Sequence, residues 1–207
     1  MLKAVASRLF APLAPDVRQL SNEELALRAP DSAKAKEELV TRLSDDVLYF
    51  LIAQLKSVKF DSYSQRQCAL DLLQEVWLTW LANPARFRVD AHSNFKAWLF
   101  SVARNKLIDL LRKQKPELAW EDADSFVQMR IDDDYAQQLI DQATSEHLAK
   151  AIQDLPYLQR EALSLQLEGF SVQEIADITH TEKESIKTRL RYARGKIADA
   201  MHVGESQ

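Results

Sequence analysis

Residues 169–194 read GFSVQEIADITHTEKESIKTRLRYAR, and two short helix patterns follow one another in this stretch with almost nothing between them. Ser171 precedes Glu174 by three residues. The same spacing separates Thr181 from Glu184. Each pair predicts a capping box, in which the hydroxyl accepts one unpaired backbone N–H of the helix and the carboxylate accepts another. The predicted helices and their inward-facing residues are 172–178, with Ile175 and Ala176, and 182–200, with Ile186, Leu190, Ala193 and Ile197.

The second of these helices is strongly basic. Between residues 187 and 196 it has no acid, and its cations are Lys187, Arg189, Arg191, Arg194 and Lys196. Two helices, a tight turn and a basic second helix are typical of a helix-turn-helix whose second helix enters a DNA major groove. The alternative is a helical hairpin whose charged face is only solvated. Because spacing and charge agree, the pattern favours DNA binding.

Composition limits the fold to an all-helical one. The chain of 207 residues has only three glycines, all beyond residue 168, so most of it lacks the punctuation of β-hairpins. Its net charge of −4 argues against a protein that coats nucleic acid non-specifically, since such binding depends on neutralising phosphates. Any contact with DNA must therefore come from local basic faces.

The sequence gives little support for a metal site, a disulfide bond or a membrane-spanning segment. Cys68 is the single cysteine and lies on a helix pattern, which favours a packing role. The four histidines show no metal-ligand spacing, and no nucleophile–base pair or Gly-rich phosphate loop is present. Residues 1–15 are too short and too interrupted for a spanning helix and form a poor secretory signal. We expect a cytoplasmic protein that is not an enzyme and needs no metal or cofactor.

Upstream, apolar residues at spacings of three and four predict a helical bundle with its own core. A capping box at Ser21 and Glu24 begins a short helix that ends before Pro30. Three longer helices follow, over about 33–56, 65–83 and 95–115. Ser32 and Asn94 are the predicted caps of the first and last of these.

Residues 116–145 are rich in acids, and Arg130 is their only basic residue. Such segments usually form mobile linkers or fold on a partner. Trp120 and Phe126 are too apolar for a pure spacer, so we expect docking. Beyond it, helices are predicted over 146–154 and 156–168, with Pro156 at the first helical position and Gly169 as a C-terminal cap. The predicted organisation is an extension (1–20), an N-terminal helical bundle (21–115), an acidic linker (116–145) and a helix-turn-helix domain (146–203).

Residues 67–115 resemble the second conserved region of bacterial sigma factors, in the extracytoplasmic-function (ECF) group. The matching segments are DLLQEVW at 71–77, FKAWLFSVARN at 95–105 and DLLR at 109–112. Residues 151–201 resemble the fourth region, through Leu155-Pro156 with Arg160, GFS at 169–171 with EIA at 174–176, and IKTRL at 186–190. Residues 22–55 fit the family's opening helices more loosely. Two motifs in the right order make the resemblance more specific than either alone.

The resemblance implies a role for each of three surfaces. Residues implied to bind the clamp helices of core RNA polymerase are Asp71, Gln74 and Glu75. Residues implied to meet the −10 promoter element are Lys96, Phe100, Arg104, Asn105 and Arg112. Residues implied to read the −35 element are Glu184, Ser185, Lys187, Thr188 and Arg191, with Arg194 and Lys196 on phosphates.

Some of these assignments have structural alternatives. The alternative for Asp71, Gln74 and Glu75 is an ordinary solvated helix face that binds no partner. Phe100 is either a base-stacking residue or part of a wide apolar stripe. The loop 83–93 corresponds to one that captures a flipped base in the family, and Phe87 is the candidate there.

The family usually has Gly in the helix-turn-helix turn, where His180 stands here. That position often needs a left-handed backbone, which His tolerates only moderately. The resemblance also implies that the linker threads toward the polymerase active site. The alternative is that it is a flexible spacer with no such role.

The resemblance implies a sigma factor that binds core RNA polymerase, directs it to promoter DNA and promotes strand opening by holding flipped bases. An anti-sigma factor is an implied further partner, and no small-molecule substrate is implied. One alternative is a helix-turn-helix regulator with an N-terminal helical sensor or dimerisation domain, which would bind a palindromic operator. Another is a helical interaction protein without DNA contact.

Overall fold

The computed structural model describes residues 16–55, 62–87, 94–114 and 150–204, and all regular structure within these ranges is helical. The helices are α1 (Asn22–Arg28), α2 (Ala33–Leu55), α3 (Ser62–Ala82), α4 (Phe95–Gln114), α5 (Tyr157–Leu167), α6 (Val172–Thr179) and α7 (Lys183–Gly204). Short 3-10 turns cover Val17–Gln19 and Pro84–Arg86. Among the described residues, no helix is long and apolar enough to cross a membrane. The all-helical prediction is confirmed.

Several predictions fall on residues outside these ranges. They are the extension before residue 16, most of the loop 83–93, the acidic linker 116–145 and residues 146–149 of the helix predicted over 146–154. Where the prediction and the structure can be compared, the helix ends agree within a few residues. The largest difference is at the end of α7, which runs to Gly204 instead of residue 200.

Three helices of the N-terminal bundle, α1, α2 and α4, begin at the caps that were predicted for them. The Ser21 hydroxyl accepts the Glu24 N–H at 3.1 Å, and the Glu24 carboxylate accepts the Ser21 N–H at 2.8 Å. Ser32 Oγ accepts a backbone N–H three residues on at 3.2 Å. Asn94 Oδ1 does the same at 3.0 Å. Each such cap stabilises its helix by about 1 kcal/mol, so these contacts fix the ends of α1, α2 and α4.

An aromatic cluster joins α3, the turn after it and α4. Phe95 is fully buried, with its ring centroid 5.1 Å from that of Trp80 and 5.8 Å from that of Trp98. Phe87 stands edge-on to Phe95 at 5.0 Å and is 9% exposed. In this structure Phe87 is therefore a core residue. Its ring is not exposed, so it cannot make the predicted contact with a flipped base.

Arg42 ties the segment before α1 to the bundle. Its guanidinium donates to the carbonyls of Leu20 at 2.7 Å, Arg18 at 2.8 Å and Val17 at 3.3 Å. A salt bridge of 2.7 Å to Glu38 orients it from the same helix. Residues 16–20, which the sequence assigned to the N-terminal extension, thus pack on α2.

The C-terminal helices form around two turns that the sequence predicted. Gly169 has φ +89° and ends α5, where its N–H donates to the Gln166 carbonyl at 3.0 Å. The buried Arg160 donates to the Leu155 carbonyl at 2.7 Å, and so fixes the turn that precedes α5. Burial lowers the pKa of Arg160. Pro156 lies one residue before the helix, as its cap, and not at the first helical position.

The helix-turn-helix turn has the geometry expected for the position usually taken by glycine. His180 has φ 53° and ψ 45°, which is left-handed, and it is the only non-glycine residue with positive φ among those described. The next N–H, of Thr181, donates to the Ala176 carbonyl at 3.0 Å. His180 therefore adopts the left-handed conformation that the turn requires.

The predicted capping box of Thr181 and Glu184 is not formed. The Thr181 hydroxyl donates to the Thr179 carbonyl at 3.2 Å. The Glu184 carboxylate binds Lys187 at 2.7 Å. Since α7 begins at Lys183, one residue later than predicted, Thr181 stands too early to act as its cap.

Substitution of His180 tests the left-handed turn. A left-handed backbone costs an L-residue roughly 1–2 kcal/mol in the folded state. Glycine avoids this cost, but its greater flexibility stabilises the unfolded chain by about 0.4–1 kcal/mol. We expect His180→Gly to raise the free energy of unfolding by up to about 1 kcal/mol, and His180→Val to lower it by at least about 1 kcal/mol. Urea unfolding measures both, with His180→Asn as the tolerated control. A destabilising glycine with a neutral valine would contradict this geometry.

Glu174 provides a test by pH. Burial alone would raise its pKa, but the Ser171 N–H at 2.9 Å, the Ser171 hydroxyl at 2.8 Å and the Asn94 amide at 2.6 Å outweigh burial and lower it. A lowered pKa means that the stabilisation is present above the ordinary value of 4.5 and is lost as the pH falls through the folded pKa.

We therefore expect Glu174→Gln to reduce the free energy of unfolding by about 1 kcal/mol near neutral pH. The difference from the unsubstituted chain should shrink on acidification to about pH 3.5, where the native carboxylate is increasingly protonated. Urea unfolding at both pH values measures the effect, and Gln173→Ala on the same helix is the control. A difference independent of pH would show that the charge of Glu174 has no role.

Candidate nucleic-acid interface

The exposed side of α7 carries most of the residues predicted for the −35 element. Its buried side consists of Ile186, Leu190, Tyr192, Ala193, Ile197 and Ala198. On the opposite side five predicted residues are exposed: Glu184, Ser185, Lys187, Arg191 and Lys196. The other two, Thr188 and Arg194, are partly buried. The structure thus brings the seven onto one helix that is solvated along its outer face.

The contacts on this face are weak enough to be exchanged. Lys187 pairs with Glu184 at 2.7 Å, but their side chains are 58% and 79% exposed. Exposed ion pairs stabilise a fold by only about 0–1 kcal/mol, so a DNA phosphate could replace this carboxylate at little cost. Arg194 is different, because it donates to the Gln166 amide oxygen at 2.9 Å and is held against α5.

The outer face of α3 combines acids with an exposed apolar side chain. Asp71, Gln74 and Glu75 are all exposed, as predicted for a face that a partner would cover. Leu78 lies on the same stripe, seven residues after Asp71, and is 56% exposed. Sequence analysis did not identify Leu78, because a leucine at this spacing is normally counted with the core. An exposed leucine beside carboxylates suits a partner surface that is both basic and apolar.

The five α4 residues predicted for the −10 element fall into two groups. Asn105 and Arg112 are exposed. Phe100 is fully buried, Arg104 is 7% exposed and Lys96 is partly buried. The reason is tertiary: α5 and α6 pack against α2 and α4, and they cover this side of α4. We call this packing the closed arrangement.

Arg104 lies at the centre of the closed arrangement. Its Nε donates to Glu161 Oε1 at 2.9 Å and its Nη2 contacts Glu161 Oε2 at 3.4 Å. The Glu161 side chain is 0% exposed and the Arg104 side chain 8%. The Tyr157 hydroxyl donates to the same carboxylate at 2.9 Å. Burial, and then the charge of Glu161, raises the pKa of Tyr157 well above its ordinary value, so the phenol stays a donor.

Lys96 forms a second bridge between the two helical domains. Its Nζ lies 2.8 Å from Asp46 Oδ2 on α2 and 3.0 Å from Glu168 Oε2 after α5. Burial alone would lower the pKa of Lys96, but these two carboxylates outweigh it and raise the pKa. The ammonium also lies 5.6 Å from the ring centroid of Phe100 and 5.7 Å from that of Phe170.

A polar cavity of about 260 Å³ lies where α4 meets the helix-turn-helix. It is lined by Arg104, Ile108, Arg112, Leu158, Thr179, Thr181 and Arg189. Cations from the predicted −10 helix and from α7 therefore face the same space. Across the part of the chain that the structure describes, no group of three or more His, Cys, Asp or Glu side chains could hold a metal ion.

The acids that meet the α4 cations were missed at the level of sequence. Glu161 and Glu168 lie on or beside α5, in a segment where the sequence patterns pointed to Pro156, Arg160 and Gly169 but to no acid. A buried glutamate on an otherwise apolar helix indicates a charged partner, since isolated carboxylates are almost never fully buried. Glu161 lies between Arg160 and the apolar run 162–163, a position where that signal could have been noticed.

Family comparisons agree with the two-domain architecture. Residues 43–117 match the model of Sigma-70 region 2, and residues 145–197 match Sigma-70, region 4. The chain is 33% identical over 172 residues to the ECF RNA polymerase sigma factor EcfG of Rhodopseudomonas palustris, an alignment that covers 80% of this chain and 88% of that one. It is 30% identical to the ECF sigma factor RpoE of Cereibacter sphaeroides, over 85% and 91% of the two chains.

Solved structures show the same fold. The sigma factor RpoE of Bartonella quintana, in complex with the anti-sigma factor NepR, matches with a TM-score of 0.58 and 24% identity over 83% of this chain and 99% of that one. CnrH, in complex with the cytosolic domain of CnrY, matches with a TM-score of 0.57 and 19% identity over 91% and 99%. The order of the two matched regions and the identity over most of both chains place this protein in the family of ECF RNA polymerase sigma factors.

Proposed function

We propose that three faces of this sigma factor divide the work of promoter recognition. The outer face of α3 binds core RNA polymerase, α4 meets the −10 element and the exposed side of α7 reads the −35 element. The observation that carries this proposal is the pair of cationic helices, α4 and α7, on separate helical domains of a chain whose net charge is −4. Because the overall charge is acidic, binding to DNA must be local to these helices.

The chain would act by differential binding and without covalent chemistry. Residues 21–115 and 146–203 would serve as separate recognition domains, with 116–145 as the tether between them. Bases of a melted strand, held in flipped positions by α4, favour the open duplex over the paired one. The protein would work in the cytoplasm with polymerase, without a cofactor or small-molecule substrate.

An anti-sigma factor is a further proposed partner. The similar structure of RpoE from Bartonella quintana contains that sigma factor together with the anti-sigma factor NepR. An ordinary helix-turn-helix regulator is less well supported, because that alternative does not account for the match of residues 43–117 to sigma region 2. A direct test is transcription of sheared host genomic DNA by core polymerase, with and without the chain. Unchanged start sites on adding the chain would refute the proposal.

Substitutions on α7 test the −35 assignment. We expect Lys187→Ala and Arg191→Ala each to weaken promoter-dependent transcription by about 5- to 150-fold, since a lost base contact costs roughly 1–3 kcal/mol. Lys34→Ala, which removes an exposed cation from α2, is the matched control and should leave transcription unchanged. Equal activity of all three variants with the unsubstituted chain would remove α7 from the proposed interface.

The α3 face is tested by binding to core polymerase. Asp71→Ala combined with Glu75→Ala should weaken that binding about tenfold or more, because charge pairs across an interface are lost together. Leu78→Ala should weaken it further, by removing the apolar contact. The control is Glu37→Ala with Asp45→Ala, two exposed acids on α2. Equilibrium titration of labelled chain with core enzyme gives the affinities, and an unchanged Kd in the α3 variants would exclude this face.

A further inference from the structure

We propose that the polar cavity between α4 and the helix-turn-helix is a binding site for a small phosphate anion, of the size of orthophosphate or pyrophosphate. The inference goes beyond promoter recognition, because it gives this sigma factor a small-molecule ligand. The cavity measures about 260 Å³. Its lining among the described residues consists of three arginines, two threonines and two apolar side chains, and it includes no acid.

The first argument is the charge of the lining. Arg104 and Arg112 reach the cavity from α4, and Arg189 reaches it from α7. The carboxylate of Glu161 pairs with Arg104, but it does not line the cavity. Cations that surround one concave space add their potentials there, and the low-dielectric walls strengthen the effect. The cavity is therefore a place where an anion with two or more charges would be attracted.

The second argument is a donor of Arg104 that has no acceptor. The Arg104 side chain is only 8% exposed, its Nε donates to Glu161 at 2.9 Å and its Nη2 contacts the same carboxylate at 3.4 Å. Among the described residues, none accepts a hydrogen bond from its Nη1. Because most of this side chain is enclosed, the cavity that it lines is the place from which an acceptor can reach Nη1. An anion oxygen would be such an acceptor.

The third argument is the chemistry of the lining groups. A guanidinium is planar and has five N–H donors, so it can bind two oxygens of one phosphate and still keep other contacts within the chain. The threonine hydroxyls donate elsewhere: Thr179 to the Ile175 carbonyl at 2.7 Å and Thr181 to the Thr179 carbonyl at 3.2 Å. The arginines, and not the threonines, would therefore hold the ligand.

The size of the cavity selects a small ligand. Sites for drug-sized molecules usually measure about 300–1,000 Å³, which is more than the volume found here. A free anion also needs no path for a continuing strand, whereas each phosphate within a nucleic acid is bonded to a nucleotide on both sides. With no carboxylate, histidine or cysteine in the described lining, the anion would be bound unchanged, as a ligand and not as a substrate.

Calorimetric titration of the full chain with inorganic pyrophosphate, at constant ionic strength and without divalent cations, tests the site. We expect one anion to bind per chain, with a Kd below about 1 mM. Arg112→Gln on α4 and Arg189→Gln on α7 should each weaken binding about tenfold or more, because each removes charge-assisted hydrogen bonds to the same anion. Lys113→Gln and Lys183→Gln, which remove exposed cations of the same two helices outside the lining, are the matched controls and should leave the Kd unchanged.

Chemical modification tests the site without any substitution. Phenylglyoxal reacts with accessible guanidinium groups, and mass spectrometry of the digested chain gives the rate at each arginine. We expect pyrophosphate to slow the modification of Arg112 and Arg189 several-fold. Arg18 and Arg28, which are exposed in the N-terminal bundle away from the cavity lining, are the internal controls and should react at an unchanged rate.

The outcomes separate the inference from its alternatives. Absence of saturable pyrophosphate binding would overturn it, and so would an unchanged Kd in both folded arginine variants. If circular dichroism shows that a variant has lost its helices, the modification rates decide, and equal rates at Arg112 and Arg189 with and without pyrophosphate would overturn it. A single-stranded oligonucleotide that binds through the same two arginines more tightly than pyrophosphate would assign the cavity to a nucleic-acid backbone instead. Neither measurement uses polymerase or a promoter, so failure of the site would leave the proposed function intact.

Discussion

The ion pair between Arg104 and Glu161 is the constraint on which the packing of the described helices of the two domains depends. Both side chains are almost completely removed from solvent, and each is the charge that compensates the other. The rings of Phe50, Phe100 and Phe170 form an apolar contact between the same two domains. Without a partner for Arg104, the same apolar contacts would enclose an isolated cation, which proteins rarely tolerate. Packing of the two domains and pairing of these charges therefore occur together.

Positive and negative side chains are concentrated on different helices of the chain. Cations are concentrated on α4 and α7, whereas exposed acids accompany Leu78 on α3 and the buried Glu161 faces α4 from α5. A net charge of −4 conceals this local separation. The separation is what allows the proposed faces to bind partners of opposite charge on a chain that is acidic overall.

Local structure was largely predictable from sequence, because its signals act over three or four residues. The boxes at Ser21 and Ser171 and the glycine that ends α5 follow from neighbouring residues, whereas the left-handed turn at His180 was expected from the family resemblance. The predicted cap at Thr181 was wrong because α7 begins one residue later than expected, and this shift is enough to make Thr181 a turn residue. Which side of α7 is exposed was predictable for the same reason, as a helix alternates its sides regularly.

Burial of Phe100 and Arg104 could not be predicted from sequence, because it depends on Phe170 and Glu161, which are far away along the chain. The stripe on α4 is wide, which left open whether Phe100 belonged to the core; Phe170 covers it only once the domains meet. Arg104 likewise appeared in sequence as one cation among several. Nothing local distinguishes it from Arg112, which is exposed, since the difference lies in the position of Glu161 across the interface.

Arg42 has a practical consequence for dissecting the protein. Its guanidinium takes three main-chain oxygens from Val17, Arg18 and Leu20 as acceptors, although these residues precede the first α-helix. A truncated fragment designed from helix boundaries alone would start at Asn22 and would discard all three acceptors. The partly buried guanidinium of Arg42 would then keep only its salt bridge to Glu38. Fragments for crystallisation or spectroscopy should therefore retain Asp16 onward, even though the regular secondary structure suggests a later starting point.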